Sequence, residues 1–492
     1  MDRPQDFHER RYIGRREMIS YVLFDASKGF SISGYSGRFF LDVVKIDFVW
    51  NAVAGFISGI WDIVDDSFAG VLVDKTKTRW GKFRPYLLAF AVPGTIFSIL
   101  YWMTPYLFTA NPRQVGKLIF WNALGMTQEL MGTFRGFAET GFVSSMTPNP
   151  LDRVRLFTWA EVISGLWESF PGIAMGVIID LINHGYLNIS MKSAYLSMGA
   201  LCAVQGGFFA LMFAWVAKER IVQSASRPSI REGLKTILNN KPMLLLMVSE
   251  FMDIFKLSTG VSNYYIDVLG SASIGNLIIL PGAPLSVLSY SYVPWAQRKF
   301  STRALWIFGE HERDITSILV FLIGCIGGAG PSGSYRKLKV MLPALIVKDV
   351  IYKSKLGIFK IIPRMILTEA LDYCEWKNGY RTEGTTLAAK SVVRKVAGTF
   401  ISPLNSLLMK RIGYSLGAGF GAQSDRTKFY LFALCTALPG LTGLLGAVPK
   451  LFYNLDGETR ERMFAELAEV REKKRRELAL LHELPADAAG NG

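Results

Sequence analysis

Residues 61–88, WDIVDDSFAGVLVDKTKTRWGKFRPYLL, set two aspartates, Asp62 and Asp66, inside an otherwise apolar run and follow them with a basic loop. A carboxylate in the middle of a bilayer costs about 3 kcal/mol or more, so it faces a cavity and binds a proton, a cation or a substrate. Residues four apart stack on one helix face, so both carboxylates point the same way. Left unpaired in a low dielectric they repel. A bound Na+ or H+ relieves that repulsion, and a hard cation prefers such oxygen ligands. The competing reading is a pair neutralised by lysines elsewhere in the bundle.

The membrane assignment rests on runs without a charged residue. Such runs cover 85–112, 193–217, 268–297, 315–335 and 429–449, each about 20 residues or longer and able to cross about 30 Å of hydrocarbon. Less pure apolar stretches at 19–44, 46–73, 115–146, 157–183, 243–267, 340–373 and 384–413 bring the expected total to about twelve helices. The 46 glycines suit close helix packing in lipid. The expected fold class is an all-α, multi-pass membrane protein.

The formal net charge is +15, which could suggest nucleic acid, but the basic residues sit largely in short segments between spans. Lys75, Lys77, Arg79, Lys82 and Arg84 follow the second span, Lys218 to Lys241 the sixth, and Arg298, Lys299 and Arg303 the eighth. The positive-inside rule makes these loops cytoplasmic and puts both termini there, as expected for a plasma (inner) membrane protein. Arg336, Lys337 and Lys339 depart from that rule. Asp74, Arg79 and Arg84 are expected to form a cytoplasmic gate, a set of ion pairs holding the two halves together when the opposite side is open.

No cleavable signal is visible, because the first 18 residues are charged and lack an apolar core. Cys202, Cys325, Cys374 and Cys435 are scattered, and the four histidines form no cluster. No Ser-His-Asp arrangement, metal cluster or phosphate loop appears, so neither an enzyme nor a bound cofactor is expected. The expected partners are a small-molecule substrate and the lipid bilayer, without nucleic acid, for a monomer. The chain divides into a six-helix half at 1–217, a cytoplasmic linker at 218–242, a second six-helix half at 243–449 and a cytoplasmic tail at 450–492. QRKFSTR at 297–303 echoes after the eighth span the basic loop that follows the second. Parallel halves with a site between them near the midplane are a transporter architecture. The tail should form an amphipathic helix at 458–480, with Phe464, Leu467 and Val470 at three-residue spacing, packed loosely on the cytoplasmic face of the protein.

The pattern W-D-x-x-x-D followed by G-x-x-x-D-x-T-x-x-R-W-G-K-F-R-P-Y, here residues 61–86, resembles the signature of the glycoside-pentoside-hexuronide:cation symporters of the major facilitator superfamily. LDYCEWKNGYRTEG at 371–384, Arg394 and Lys395, Ile412-Gly413-Tyr414 and the tail from Leu451 are similar to the family's second half. The resemblance implies the major facilitator fold and places the coupling cation on Asp62 and Asp66 with help from Thr133. It aligns Lys395 with a helix-11 lysine able to bind a substrate. It also brings Asp25 and Glu139 near the positions of sugar-binding acids. The chain departs from the family in having Asp65-Asp66-Ser67 for Asn-Asp-Pro, Gly136 at an acidic position, and Glu161 where an arginine is usual. Lys348, Asp349, Lys353, Lys355 and Lys360 could line a cavity for an anionic solute, or mark an irregular span. The function implied is Na+ or H+ coupled symport of a small polar solute, a glycoside, hexuronide or related organic anion. An amphipathic lipid carrier, a proton-driven exporter and a non-transporting sensor or scaffold are the alternatives.

Overall fold

A computed structural model of the chain describes residues 12–76, 78–147, 150–220, 239–378, 383–455 and 457–483. Apart from an isolated bridge between Thr78 and Gly81, the described residues form helices and their connections, without strands. The first six spans are α1 (Arg15–Gly29), α2 (Phe48–Lys75), α3 (Arg84–Leu107), α4 (Val115–Met146), α5 (Pro150–Trp167, resumed as Ser169–Asn183) and α6 (Met191–Val216). The second six are α7 (Lys241–Ile254, resumed as Val261–Asp267), α8 (Ile274–Ile279, Ala283–Leu288 and Val293–Lys299), α9 (Thr302–Gly324), α10 (Leu338–Ser354, resumed as Leu356–Asn378), α11 (Glu383–Arg411) and α12 (Asp425–Gly443, continued to Ala447–Leu451). The tail forms α13 (Gly457–Glu483).

Local chemistry starts several of these helices. The side chains of Asp47, Ser190, Ser301 and Ser424 accept from the backbone N–H groups of Val49, Ser193, Ala304 and Thr427, capping α2, α6, α9 and α12. The interruptions have causes too. The two pieces of α7 are separated by a turn ending at Gly260, whose φ of 85° suits a residue without a Cβ. The second and third pieces of α8 each begin at a proline, Pro284 and Pro294, in the first turn where the missing N–H is harmless.

Each half has its own apolar core. In the first, Phe24 stacks on Phe213 and Phe142 meets Phe213 edge-on, joined by Leu87, Ala138 and Leu156. Trp306, Ile362, Ile366 and Tyr453 anchor the second. Among the described residues, four stretches, Arg84–Leu107, Arg155–Asn183, Met191–Val216 and Asp425–Leu451, are long and apolar enough by composition to cross a bilayer.

Two expectations change. The ninth span occupies Thr302–Gly324 rather than 315–335, which takes Glu310, His311, Glu312, Arg313 and Asp314 into the helix. Their charges are met inside the bundle: Glu312 by Lys355 at 2.9 Å, Asp314 by Lys256 at 3.0 Å and by His311 at 2.9 Å. Beyond Gly324 the chain turns through Gly327 and Gly328, both with φ of 89°, so the apolar run at 325–333 is loop. Among the described residues of α13, Met463 and Leu467, one turn apart, are buried and Phe464 packs against the same core, whereas Val470 is exposed. Arg460 pairs with Glu369 of α10 at 2.6 Å, and Trp376 donates to Glu466. Outside the spans, Glu466 is held below the usual carboxylate range, first by the Arg462 hydrogen bond and then by that of Trp376.

Candidate functional site

α2 and α11 meet along a seam of small residues. A Cβ at Gly59 would lie 2.6 to 2.8 Å from three atoms of Thr399, so only glycine admits this approach. Asn51 donates to Ser406 at 2.8 Å further along the same seam. The close approach brings Lys395 of α11 against α2. Its ammonium lies 2.6 Å from Asp62 Oδ1 and 2.5 Å from Asp66 Oδ2, and it donates to the Asp62 carbonyl at 2.8 Å. The one-face stacking of Asp62 and Asp66 is therefore realised, and a lysine of the other half answers both.

Thr133 of α4 meets neither of these. Its hydroxyl donates to Asp65 Oδ2 at 3.3 Å. Asp65 is only 1% exposed, and its Oδ1 is buried without a hydrogen bond. One carboxylate oxygen from each of Asp62, Asp65 and Asp66 falls within 4.8 Å of the others, a set able to hold a small cation. Glu129, one turn before Thr133 on α4, is within electrostatic reach of Asp62 and Asp65. A cavity of about 740 Å³ between the halves is lined by Asp62, Glu129, Lys390, Arg394, Lys395 and Thr399, among others. Lys390 is engaged by Glu250 at 2.7 Å. Among the described residues Arg394 makes no ion pair.

Asp25 and Glu139 are brought together elsewhere, within the first half. Lys28 pairs with both, at 2.6 Å from Asp25, and Ser164 donates to Asp25 at 2.9 Å. Lys28 and Arg135 also border a separate cavity of about 450 Å³ with Gln128, Tyr101 and Trp102. The candidate substrate residues thus fall into two groups, Lys395 on the seam and Asp25 with Glu139 around Lys28 in the first half.

Of the candidate gate, Arg84 donates to the Ala214 and Trp215 carbonyls at the end of α6, while Glu219 accepts from the backbone N–H groups of Lys82, Phe83 and Arg84. Arg79 is exposed and lies over the Trp80 ring. The side chain of Asp74 lies outside the described set. At the opposite end of the bundle the halves are locked by a residue not singled out in the sequence, Arg38. It is 3% exposed, pairs with Asp42 at 2.9 Å, and crosses to Asp267 of α7 at 2.6 Å. Tyr414, beyond α11, donates to the same Asp267 oxygen at 2.9 Å. Asp180 of α5 adds bonds to Ser271, Ala272 and Ser273.

Asp65 and Glu129 were also missed, although each had a signal: Asp65 adjoins Asp66, and Glu129 shares a face with Thr133 at a spacing of four. Arg38 had none, because a lone arginine at the end of a span is ordinarily a topology marker.

Two six-helix groups with a charged cluster on their shared seam define a secondary transporter working by alternating access, not an enzyme. The chain belongs to the MFS/sugar transport protein family, whose profile matches residues 19–457, in the glycoside-pentoside-hexuronide symporter branch of the major facilitator superfamily. It is a multi-pass integral membrane protein. It is 25% identical to the isoprimeverose transporter of Lactiplantibacillus pentosus over 94% of this chain and 93% of that one. It is 24% identical to the glucuronide carrier protein homolog of Escherichia coli (strain K12), covering 81% and 84%. In fold it is similar to the inward-open xylose transporter XylE of E. coli, with a TM-score of 0.57, 14% identity, and coverage of 92% of this chain and 98% of that one.

Proposed function

We propose that the protein couples entry of Na+ or H+ to uptake of a small polar solute, a glycoside, hexuronide or related organic anion, across a plasma (inner) membrane with both termini cytoplasmic. The observation that carries this reading is the Lys395 ammonium held by Asp62 and Asp66 across the seam between the halves. A cation arriving at those carboxylates competes with Lys395 for the same oxygens. Its binding frees the lysine, breaks a bond between halves and adds a positive group to the central cavity. Cation occupancy and solute binding then depend on each other, as thermodynamic linkage requires. Asp65 and Thr133 complete the oxygen set, and Glu129 supplies a further carboxylate at its edge.

Arg394 and a released Lys395 favour an anionic solute, a preference in keeping with the glucuronide named for one relative. Asp25 and Glu139, held by Lys28, act on the first-half side of the solute path. With Arg38 sealing the outer end, the conformation is closed to the outside. Asp74, Arg79 and Arg84 are proposed to reach across the cytoplasmic end in the alternate state. The carrier works as a monomer in the bilayer and needs no cofactor or nucleic acid.

The test is uptake of a labelled glucuronide and a labelled glycoside into proteoliposomes, with an inward Na+ gradient, an inward proton gradient, or neither. Accumulation above equilibrium under one gradient supports the coupling. Equal uptake under all three conditions overturns it.

A further inference from the structure

The second half contains a second ionic centre, remote from the α2 carboxylates and built by three helices. Lys450, at the end of α12, is fully buried. Its ammonium donates to Asp253 of α7 at 3.1 Å, to Glu310 of α9, and to His311 Nε2 at 2.6 Å. Because Nε2 accepts, the imidazole is neutral with its proton on Nδ1, and that nitrogen donates to Asp314 at 2.9 Å. Asp314 is also held by Lys256 at 3.0 Å. The cradle is carved into α12: a Cβ at Gly443 would lie 2.5 Å from both Asp314 oxygens, and one at Gly446 would overlap Asp253 Oδ1.

The neighbouring charges have partners of their own. On α9, Glu312 faces Lys355 and Arg313 lies over the Tyr352 ring. On α7, Glu250 is taken by Lys390. From α10, Lys348 is within electrostatic reach of Asp314, Glu312 and Arg313. Lys256 reaches Asp314 and, at 3.8 Å, Asp253 as well, so Asp253, Glu310 and Asp314 share two ammoniums, with Asp253 and Glu310 together on Lys450. Their oxygens and a His311 ring nitrogen all lie within 4.8 Å of one another, and Asp253 Oδ1 is buried without a hydrogen bond. Three carboxylates gathered around two counter-charges in a low dielectric hold a proton, and Asp253 and Glu310, the two that share Lys450, are placed to take it. A metal ion has no place here, because the lysine ammonium already sits among the three groups.

We infer that Asp253, Glu310 and His311, gathered around Lys450, form a proton-binding site in the second half, separate from the cation site on α2. Water reaches it from the Asp253 side: the side chains of Asp253 and Lys256 are 22% and 29% exposed, and Ile254 between them lines the central cavity. The proton, shared between Asp253 and Glu310, keeps the first part of α7 against α9 and α12. Its loss sets two carboxylates against each other just before the turn at 255–260.

The experiment is infrared difference spectroscopy of the purified full-length protein between mildly alkaline and mildly acidic buffer, paired with emission spectra. A protonated-carboxyl band should appear on acidification in the wild type and persist in the Asp62→Asn/Asp66→Asn double variant. It should be lost in Glu310→Gln and in Asp253→Asn. Trp306 lies 5.3 Å from the Lys450 ammonium, so the emission difference between wild type and Trp306→Phe should titrate at the same midpoint, a readout that leaves the cluster intact. A band that survives both Glu310→Gln and Asp253→Asn, or that vanishes with the α2 double variant, overturns the inference. So does a Trp306 signal that does not change with pH. Because no solute or gradient is involved, a failure here is distinguishable from a failure of symport.

Discussion

At the residue scale the protein turns on one lysine facing several carboxylates. Asp62→Asn and Asp66→Asn each keep the shape of the side chain but remove the charge that holds a cation. Gradient-driven accumulation should be abolished in either variant while solute exchange persists, which counterflow in proteoliposomes will show. Full accumulation by both variants would remove α2 from the coupling. Lys395→Gln should lose transport and also lower the thermal stability, since a charge-assisted bond of this kind contributes about 1.5–3 kcal/mol. Lys395→Arg should keep part of both. A fully active Lys395→Gln carrier would mean that the seam ion pair is incidental. Asp62, Asp66 and Lys395 were all legible in the sequence, and so was the possibility that a lysine neutralises the pair. Which lysine does so was not, because that depends on how closely Gly59 lets α11 approach.

At the element scale, the two ends of the bundle should respond in opposite directions. Arg38 is fully buried, so removing it strands Asp42 and Asp267, and truncating one partner of such a pair costs about 2–5 kcal/mol. Arg38→Gln should therefore shift the population toward an outward-open form. Cysteines introduced near Ser406 should then label faster from outside. Arg79→Gln or Arg84→Gln should act the other way and raise labelling from the cytoplasm, while unchanged labelling would reduce both to topology markers. Gly59→Val should force α2 from α11, with a loss of stability that a smaller residue at position 399, such as Thr399→Ala, partly restores. Element placement was less legible than element number. α9 was misplaced because hydropathy penalises Glu310 to Asp314 without knowing that Lys256, Lys355 and Lys450 wait across the bundle. The apolar run at 325–333 misled in the other direction, since its glycines with positive φ turn the chain instead of extending the helix.

At the scale of the whole molecule, the tail belongs to the core of the second half. Met463 and Leu467 are buried among Trp306, Ile362 and Tyr453, and a large-to-small change at such a position costs about 2–5 kcal/mol. Met463→Ala should lower the melting temperature clearly, whereas Val470→Ala, at an exposed position, should leave it unchanged. Equal small effects would mean that α13 is a loose appendage. Of the expected stripe Phe464 and Leu467 face the core and Val470 does not; apolar spacing alone could not show that Met463 takes its place. The twelve-helix plan was readable from hydropathy, whereas the long-range ionic contacts were not; most of the expected linker at 218–242 lies outside the described residues. The seam cluster also has an electrical consequence. Three aspartates face one lysine there, so with all four ionised two negative charges are unbalanced. An elementary charge carried through the full field of a membrane is worth about 2.3 kcal/mol per 100 mV. In a cell whose interior is negative, the empty cluster is drawn toward access from outside, and a bound cation weakens that pull. The resting voltage itself would then re-cock the unloaded carrier for its next cycle.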